Sequence, residues 1–467
     1  MPKNSLVFLL ALCPLLFFNC RPEDPTPVDT PDNRLSGGVL LSTFDQSENA
    51  FGHQANGLTF EEDGFFVAGN ALFQSNWVTA PASVQSLDGL GPLFNVSSCG
   101  GCHFKDGRAK PPATPDAPLN GLLFRLSVPG SGPHGEPLGD PNYGGQLQDR
   151  SILNVLPEAK IRVSYTEQPG AYPDGNVYAL RQPVYTFQDF NFGPLAANVQ
   201  VSPRIAQQLP GLGLLEAIPE SAILALADEQ DRDNDGISGR ANYVWDTEQQ
   251  QTVLGRFGWK ANQSSLRQQA AGAFNGDIGI TSAIFPLEGF TDAQWQQYGG
   301  LPNGGQPELT EAQLAKITFY LQTLCVPARR NPEDALVKRG AVLFGQLGCA
   351  KCHVPSLQTG TAHPIAVLNH TAIAPYTDLL LHDMGEGLAD NRPDFLATGR
   401  EWRTPPLWGI GMVPTVNKHS YLLHDGRARN FEEAILWHGG EAAKSQTSFT
   451  QLTKADREAV LRFLENL

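Results

Sequence analysis

Two stretches of the chain repeat one pattern of polar and apolar positions in the same register. They are Leu309-Thr-Glu-Ala-Gln-Leu-Ala-Lys-Ile-Thr-Phe-Tyr-Leu-Gln-Thr-Leu324 and Leu452-Thr-Lys-Ala-Asp-Arg-Glu-Ala-Val-Leu-Arg-Phe-Leu-Glu-Asn-Leu467. Each opens with a threonine, Thr310 or Thr453, followed three residues later by Gln313 or Asp456, the layout of a helix N-cap. Each then carries an apolar stripe, at 317/320/321/324 and at 460/463/464/467, which predicts an amphipathic helix. A shorter match lies upstream of each: Gly69-Asn-Ala-Leu-Phe73 parallels Gly340-Ala-Val-Leu-Phe344. The pattern therefore predicts one unit, used twice, that begins and ends with a helix. The second copy, 335–467, is short. The first, 38–326, carries an insertion at about 110–250. Residues 110–210 are rich in Pro and Gly and predict extended loops and short strands. Mainly α is thus the expected class.

The N-terminus reads differently. After Lys3, residues 6–18 are almost wholly apolar, too short a run to span a bilayer but suited to the core of a signal peptide. We expect a signal at 1–20, a Pro/Asp/Thr linker at 21–37, and an exported chain, periplasmic or tethered to the outer membrane. Cys20 closes the run. A lipid anchor there is one reading. An unmodified cysteine is the other, because Phe17, Phe18 and Asn19 are not the small residues that usually precede a lipidated cysteine.

Composition narrows the partners. Of 467 residues, 41% are hydrophobic and 17% charged, which excludes global disorder. A net charge of −15 argues against nucleic acid and anionic membrane surfaces as partners. Gly 47 and Pro 36 together make up roughly 18% of the chain, above the usual share, so loops should be abundant.

The seven cysteines carry the chemistry. Cys13 and Cys20 fall in or beside the expected signal. Four of the rest form Cys99-Gly-Gly-Cys102-His103 and Cys349-Ala-Lys-Cys352-His353. CxxCH is the attachment pattern of c-type haem: both thiols bond to the macrocycle, and the histidine ligates the iron. A four-cysteine zinc site, a redox thiol pair and plain disulfides compete, but none explains a histidine after each pair. Two covalent haems are expected, one per repeat, so each unit resembles a cytochrome c domain. Cys325, inside a helical pattern, reads as a packed apolar residue. Within the insertion, Asp231-Arg-Asp233-Asn-Asp235-Gly236-Ile237 alternates acids before a glycine. This suits Ca²⁺, with Ile237 offering its carbonyl. Asn242 stands where an EF-hand places glutamate, and a solvated acidic turn is the rival reading.

These residues resemble a family. Gly89-Leu-Gly-Pro-Leu-Phe-Asn95, Gly211-Leu-Gly-Leu-Leu-Glu216-Ala-Ile-Pro219, Asp235-Gly-Ile-Ser-Gly-Arg240, Gly255-Arg-Phe-Gly-Trp259-Lys-Ala261, His382-Asp-Met384-Gly385, Trp402-Arg403-Thr-Pro-Pro-Leu-Trp408 and His424-Asp-Gly-Arg427-Ala carry the likeness. They resemble the di-haem oxidoreductases, sometimes labelled thiol oxidoreductases, which are similar to the bacterial di-haem cytochrome c peroxidases and to MauG. The "thiol" label fits poorly, since haem should consume both CxxC pairs. The resemblance implies a C-terminal haem that accepts electrons from a donor protein or small redox donor. It implies an N-terminal haem that meets peroxide or oxidises another substrate. Carried over, the second ligand of the C-terminal iron is His438, where the peroxidases have Met and MauG has Tyr. Met384 and Met412 are rivals. Trp259 then lies between the haems, with Gln269 and Asp277 lining the peroxide pocket and Glu216 as the alternative acid. Arg403 and Arg427 would hold propionates. The bland alternatives are a core tryptophan, an aspartate capping a turn, a surface His438 and solvated arginines.

A second functional class stays open: a non-catalytic electron-transfer cytochrome with both irons six-coordinate. It needs a distant ligand, such as His53 or His134, at the His103 iron.

Overall fold

In the computed structural model of the protein, Met1 and residues 33–467 are described. The expected signal after Met1, with Cys13 and Cys20, and residues 21–32 of the linker lie outside the described residues. Six helices frame the candidate site: α1 (Phe60–Gln74), α2 (Leu266–Ala273), α3 (Glu311–Gln322), α4 (Ala335–Gln346), α5 (Phe431–Leu436) and α6 (Lys454–Asn466). The sequence repeat has a structural cause. Thr310 and Gln313 form a reciprocal capping box at the start of α3, and the Thr453 hydroxyl accepts from the Asp456 amide at the start of α6. α1 then crosses α3, and α4 crosses α6, with a glycine at each contact. A Cβ on Gly69 would run into the Lys316 carbonyl and lie 2.7 Å from the Tyr320 Cβ. A Cβ on Gly340 would run into the Ala459 carbonyl and lie 2.7 Å from the Phe463 Cβ. Lys316 and Ala459, like Tyr320 and Phe463, hold the same places in the two repeats. The short upstream matches are therefore helix-crossing points, where only a bare Cα admits the neighbouring backbone.

The mainly α expectation is overturned. The chain is 28% helix and 19% strand. Among the described residues the strands form small sheets of two strands, apart from one of three. In the insertion, β1 (Leu122–Ser131) pairs antiparallel with β4 (Gln200–Ile205). β2 (Lys160–Ala171) and β3 (Val177–Gln188) form a twelve-residue antiparallel hairpin. This stretch is rich in strand-favouring residues (Val163, Tyr165, Val184, Tyr185, Phe187), but most of the hairpin is exposed or half-buried. Ile161 and Val163 are buried, with Tyr165, Tyr185 and Phe187 packed beside them, so Lys160–Thr166 does alternate; the outer half, with Pro169, Gly170 and Gly175, is what reads as loop.

The hairpin straps the last hundred residues. The Tyr172 hydroxyl donates to Glu432 at 2.8 Å, Asp174 pairs with Arg457 at 2.8 Å, and Glu167 pairs with Arg429 at 2.9 Å. Residues Arg34–Leu467 form one compact unit. None of the described helices is long and apolar enough to cross a membrane. Cys325 is buried, as expected of a packed residue.

Candidate functional site

Two large cavities open beside the CxxCH segments, about 1440 and 1450 Å³ counted out to their mouths. Cys99, Cys102 and His103 line the first, together with Phe73 from α1 and Ile317 and Leu321 from α3. Cys349, Cys352 and His353 line the second, together with Phe344 from α4 and Val460 and Leu464 from α6. The repeat thus recurs at the site. The Phe73 ring stands 6.2 Å from the His103 ring at 51°, and the Phe344 ring 6.3 Å from the His353 ring at 52°.

Both histidines are held alike. His103 Nδ1 lies 2.7 Å from the Gln207 carbonyl and His353 Nδ1 3.0 Å from the Tyr376 carbonyl. A carbonyl only accepts, so Nδ1 carries the proton and the lone pair sits on Nε2. Burial depresses the basicity of both rings. At His353 the nearby His438 adds to this, bringing it down to about 4. Each imidazole is thus neutral at physiological pH, the form that ligates metal.

His438, which follows α5, lines the His353 cavity. Its Nδ1 donates to the Ala434 carbonyl at 2.7 Å, again leaving Nε2 bare. Met384 lines the same cavity. Met412 does not, being packed with Phe51, Val413 and Val416. Gln269 from α2 and Asp277 line the His103 cavity. Asp277 sits in a π-turn, Phe274–Ile278, whose carbonyl at 277 accepts from Asn95 and Val96. Its carboxylate accepts from the Gln146 side-chain amide at 2.8 Å. Burial raises its pKa, and the Arg125 charge opposes the rise.

Trp259 and Arg403 line both cavities and so form a shared wall. The Trp259 indole N–H donates to the Ile205 carbonyl at 2.8 Å, and the Arg108 guanidinium lies 5.2 Å from the centre of its ring. Arg403 is buried and donates to the Gly258 carbonyl at 2.8 Å and to Gln207 Oε1 at 3.2 Å. Burial brings Arg403 and Arg108 down to about 10.

Residues 31–467 match the family described as "Di-haem oxidoreductase, putative peroxidase". The chain belongs to the di-haem oxidoreductase family. A comparison with curated proteins finds no match. The haems of a di-haem oxidoreductase fit these cavities. Each has apolar walls and a neutral imidazole with a free Nε2 whose other nitrogen is fixed by a carbonyl, the usual support of a metal-bound histidine. Arg108, Arg125 and Arg403 are cations at the cavity walls without a salt bridge to any carboxylate among the described residues, which suits anionic propionates. Arg108 and Arg125 carry no motif around them in the sequence.

Other residues lie elsewhere. Glu216 lines neither cavity: it accepts from the Leu266 amide at 2.8 Å and the Gln322 side chain at 2.6 Å. Arg427 lines neither: its charge is closed on buried Asp425 at 2.8 Å and its Nη1 on the Gly387 carbonyl at 2.6 Å. His53 pairs with Asp45, and His134 stacks on Trp245; neither lines the His103 cavity.

Carboxylate oxygens of Asp231, Asp233 and Asp235 lie within 4.8 Å of one another. The turn is drawn tight by its own backbone: Asp231 Oδ1 accepts from the amides of Asp235 and Gly236. Asp235 also pairs at 2.5 Å with Lys351, inside the second CxxCH, and the Ile237 side of the loop lines that cavity. Behind it, His382 is clamped between Asp378 at 2.8 Å and Glu441 at 2.7 Å. No sequence pattern announced this clamp.

Proposed function

We propose that this chain is an exported, peroxidase-like di-haem enzyme with both haems attached through the CxxCH cysteines. Each repeat then acts as a cytochrome c-like unit. His353 and His438 would hold the C-terminal iron, which takes electrons from a donor protein or small redox donor. His103 would hold the N-terminal iron, where peroxide is reduced or a partner oxidised. The observation that carries this reading is the difference between the cavities. The His353 cavity has a second bare imidazole, His438. Among the described residues lining the His103 cavity there is no second His or Met, but there are Gln269 and Asp277.

The haems, when bound, supply one-electron chemistry and a position for peroxide. The chain does the rest. H₂O₂ takes two electrons and two protons to give two waters. Asp277, held by Gln146, accepts a proton from one peroxide oxygen and returns it to the other. Gln269 orients the peroxide by hydrogen bonding. Trp259, in the wall common to both cavities, lies on the electron route. Arg403, in the same wall, offers its guanidinium to propionates.

Export is supported by the apolar run at 6–18 and agrees with the proposed thioether attachment; Cys20 is the proposed lipid anchor. Ca²⁺ at Asp231, Asp233, Asp235 and the Ile237 carbonyl would replace Lys351 as the counter-charge beside the C-terminal haem.

Electron paramagnetic resonance of the holoprotein, with and without H₂O₂ and a reduced donor, tests the reading. The expected result is a high-spin ferric signal that changes with peroxide, and rapid donor oxidation. Two low-spin haems indifferent to peroxide would instead make the chain an electron-transfer cytochrome.

A further inference from the structure

Apart from the haem cavities, a third pocket lies among residues 89–92, 281–290 and 295–308, about 540 Å³ counted out to its mouth. Its walls are aromatic: Phe290, Trp295 and Tyr298 all line it, with Phe290 and Trp295 tilted against each other at 6.3 Å. Trp295 is 53% exposed and Leu287 74%, so among the described residues apolar surface lies open at this place.

Two carboxylates, Glu288 and Glu308, line the same pocket. Glu308 is engaged: it accepts from the Thr281 amide at 2.8 Å, the Thr281 hydroxyl at 2.9 Å and the Gly304 amide at 3.1 Å. Glu288 is not. Its Oε2 is buried and has no hydrogen-bond partner. Among the described residues no Lys, Arg or His lines the pocket, and Glu288 makes no salt bridge with any of them. Burial, with the Glu308 charge added, pushes Glu288 up to about 8, so without a ligand the group is mostly a neutral acid at pH 7, and a bound cation displaces its proton. A half-buried carboxylate with one oxygen shut off from water and no counter-charge is costly to ionise, and a cation bound beside it would offset that cost.

We infer that this pocket binds a primary alkylammonium group, its N–H bonds reaching the Glu288 carboxylate and its alkyl stem lying against Trp295 and Phe290. The chemistry is complementary at each point. An ammonium provides the missing donors and the missing positive charge. Aromatic faces attract a cation and also cover the methylenes behind it. The ligand's source is either a free small amine or a lysine side chain of another protein; the amine is common to both. The inference does not rest on the haem reading.

Calorimetric titration of the full-length holoprotein with n-butylammonium chloride tests it, with sodium chloride and neutral n-butanol as controls. The expected result is saturable binding of one amine per chain, with neither control binding. Glu288→Gln keeps shape and removes charge, and should weaken binding at least about tenfold, which corresponds to about 1.4 kcal/mol. Trp295→Ala should weaken it as well. Circular dichroism and haem absorbance of both variants should match wild type, because Glu288 holds no other group. Tighter binding of Nα-acetyl-lysine amide than of n-butylammonium would assign the pocket to a protein side chain, and the reverse order to a free amine. Absence of saturable heat, equal binding by n-butanol, or unchanged affinity in Glu288→Gln would overturn the inference.

Discussion

Asp277→Asn isolates the proton-transfer role proposed for the His103 cavity. The substitution conserves shape. The Gln146 amide can still donate to the remaining side-chain carbonyl across the same 2.8 Å, and the π-turn is held by backbone bonds to Asn95 and Val96 that do not involve the side chain. Folding and haem content should therefore be unchanged. What is lost is a group that takes and returns a proton. Such a loss typically costs about 10²–10⁴ in rate, or about 3–5 kcal/mol of barrier at 1.36 kcal/mol per factor of ten. The assay is donor oxidation under steady state with H₂O₂ varied, read as kcat/KM for peroxide. The pH profile adds a second readout. Burial raises the Asp277 pKa, so the anion that accepts the proton is lost as pH falls through a value above the ordinary carboxylate range. Wild type should show an acidic limb displaced upward, and Asp277→Asn should lack it. A variant within about tenfold of wild type, with the limb retained, would remove Asp277 from the chemistry.

Three more outcomes are expected from the geometry. His438→Ala should abolish one low-spin signal in the resonance spectrum while pyridine-haemochrome analysis still finds two covalent haems; an unchanged spectrum would hand the ligand role to Met384 or another group. Gly340→Ala should destabilise the fold by about 1–3 kcal/mol or more, because the new methyl meets the Ala459 carbonyl and the Phe463 side chain; the denaturation midpoint reads this, and Gly69→Ala should behave alike. Lys260→Met should cost about 3–5 kcal/mol, since Lys260 is fully buried and its ammonium meets Asp390 at 2.9 Å, leaving that carboxylate uncompensated once removed.

The parts of the site legible in sequence are those with local spacing. CxxCH is contiguous, and the helix stripes and their threonine caps are contiguous, so Cys99, His103, Cys349, His353 and the α3/α6 equivalence could be read directly. The glycine matches were visible as letters, but their meaning as crossing points needed the opposing helix. Arg108 and Arg125 were invisible because their importance comes from what they lack, a carboxylate partner, and only coordinates show that. Arg427 looked equivalent to Arg403 in sequence. It differs because Asp425, buried two residues away, consumes its charge. The strand content was underestimated because the ladders are short and the Pro and Gly around them read as loop, although Lys160–Thr166 alternates polar and apolar residues.

Residues 205–261, most of them in the insertion, also belong to the second haem site more than their place in the sequence suggests. Trp259 and Ile237 come from the 231–261 region yet line the His353 cavity. The backbone is shared as well: the Arg403 amide donates to the Trp259 carbonyl at 2.9 Å, the Ile205 amide to the His424 carbonyl at 2.7 Å, and Arg240 and Leu381 exchange both bonds. A fragment of residues 335–467 would leave these groups unpaired and uncover Trp402, whose ring centre lies 4.4 Å from the Lys260 ammonium in the full chain. Unpaired backbone groups and exposed aromatic surface both destabilise a fold this small. The fragment should therefore be cleaved rapidly by protease and show weak near-ultraviolet circular dichroism. A protease-resistant fragment holding a haem with the wild-type low-spin spectrum would show that the second repeat is self-sufficient and that the insertion only rests against it.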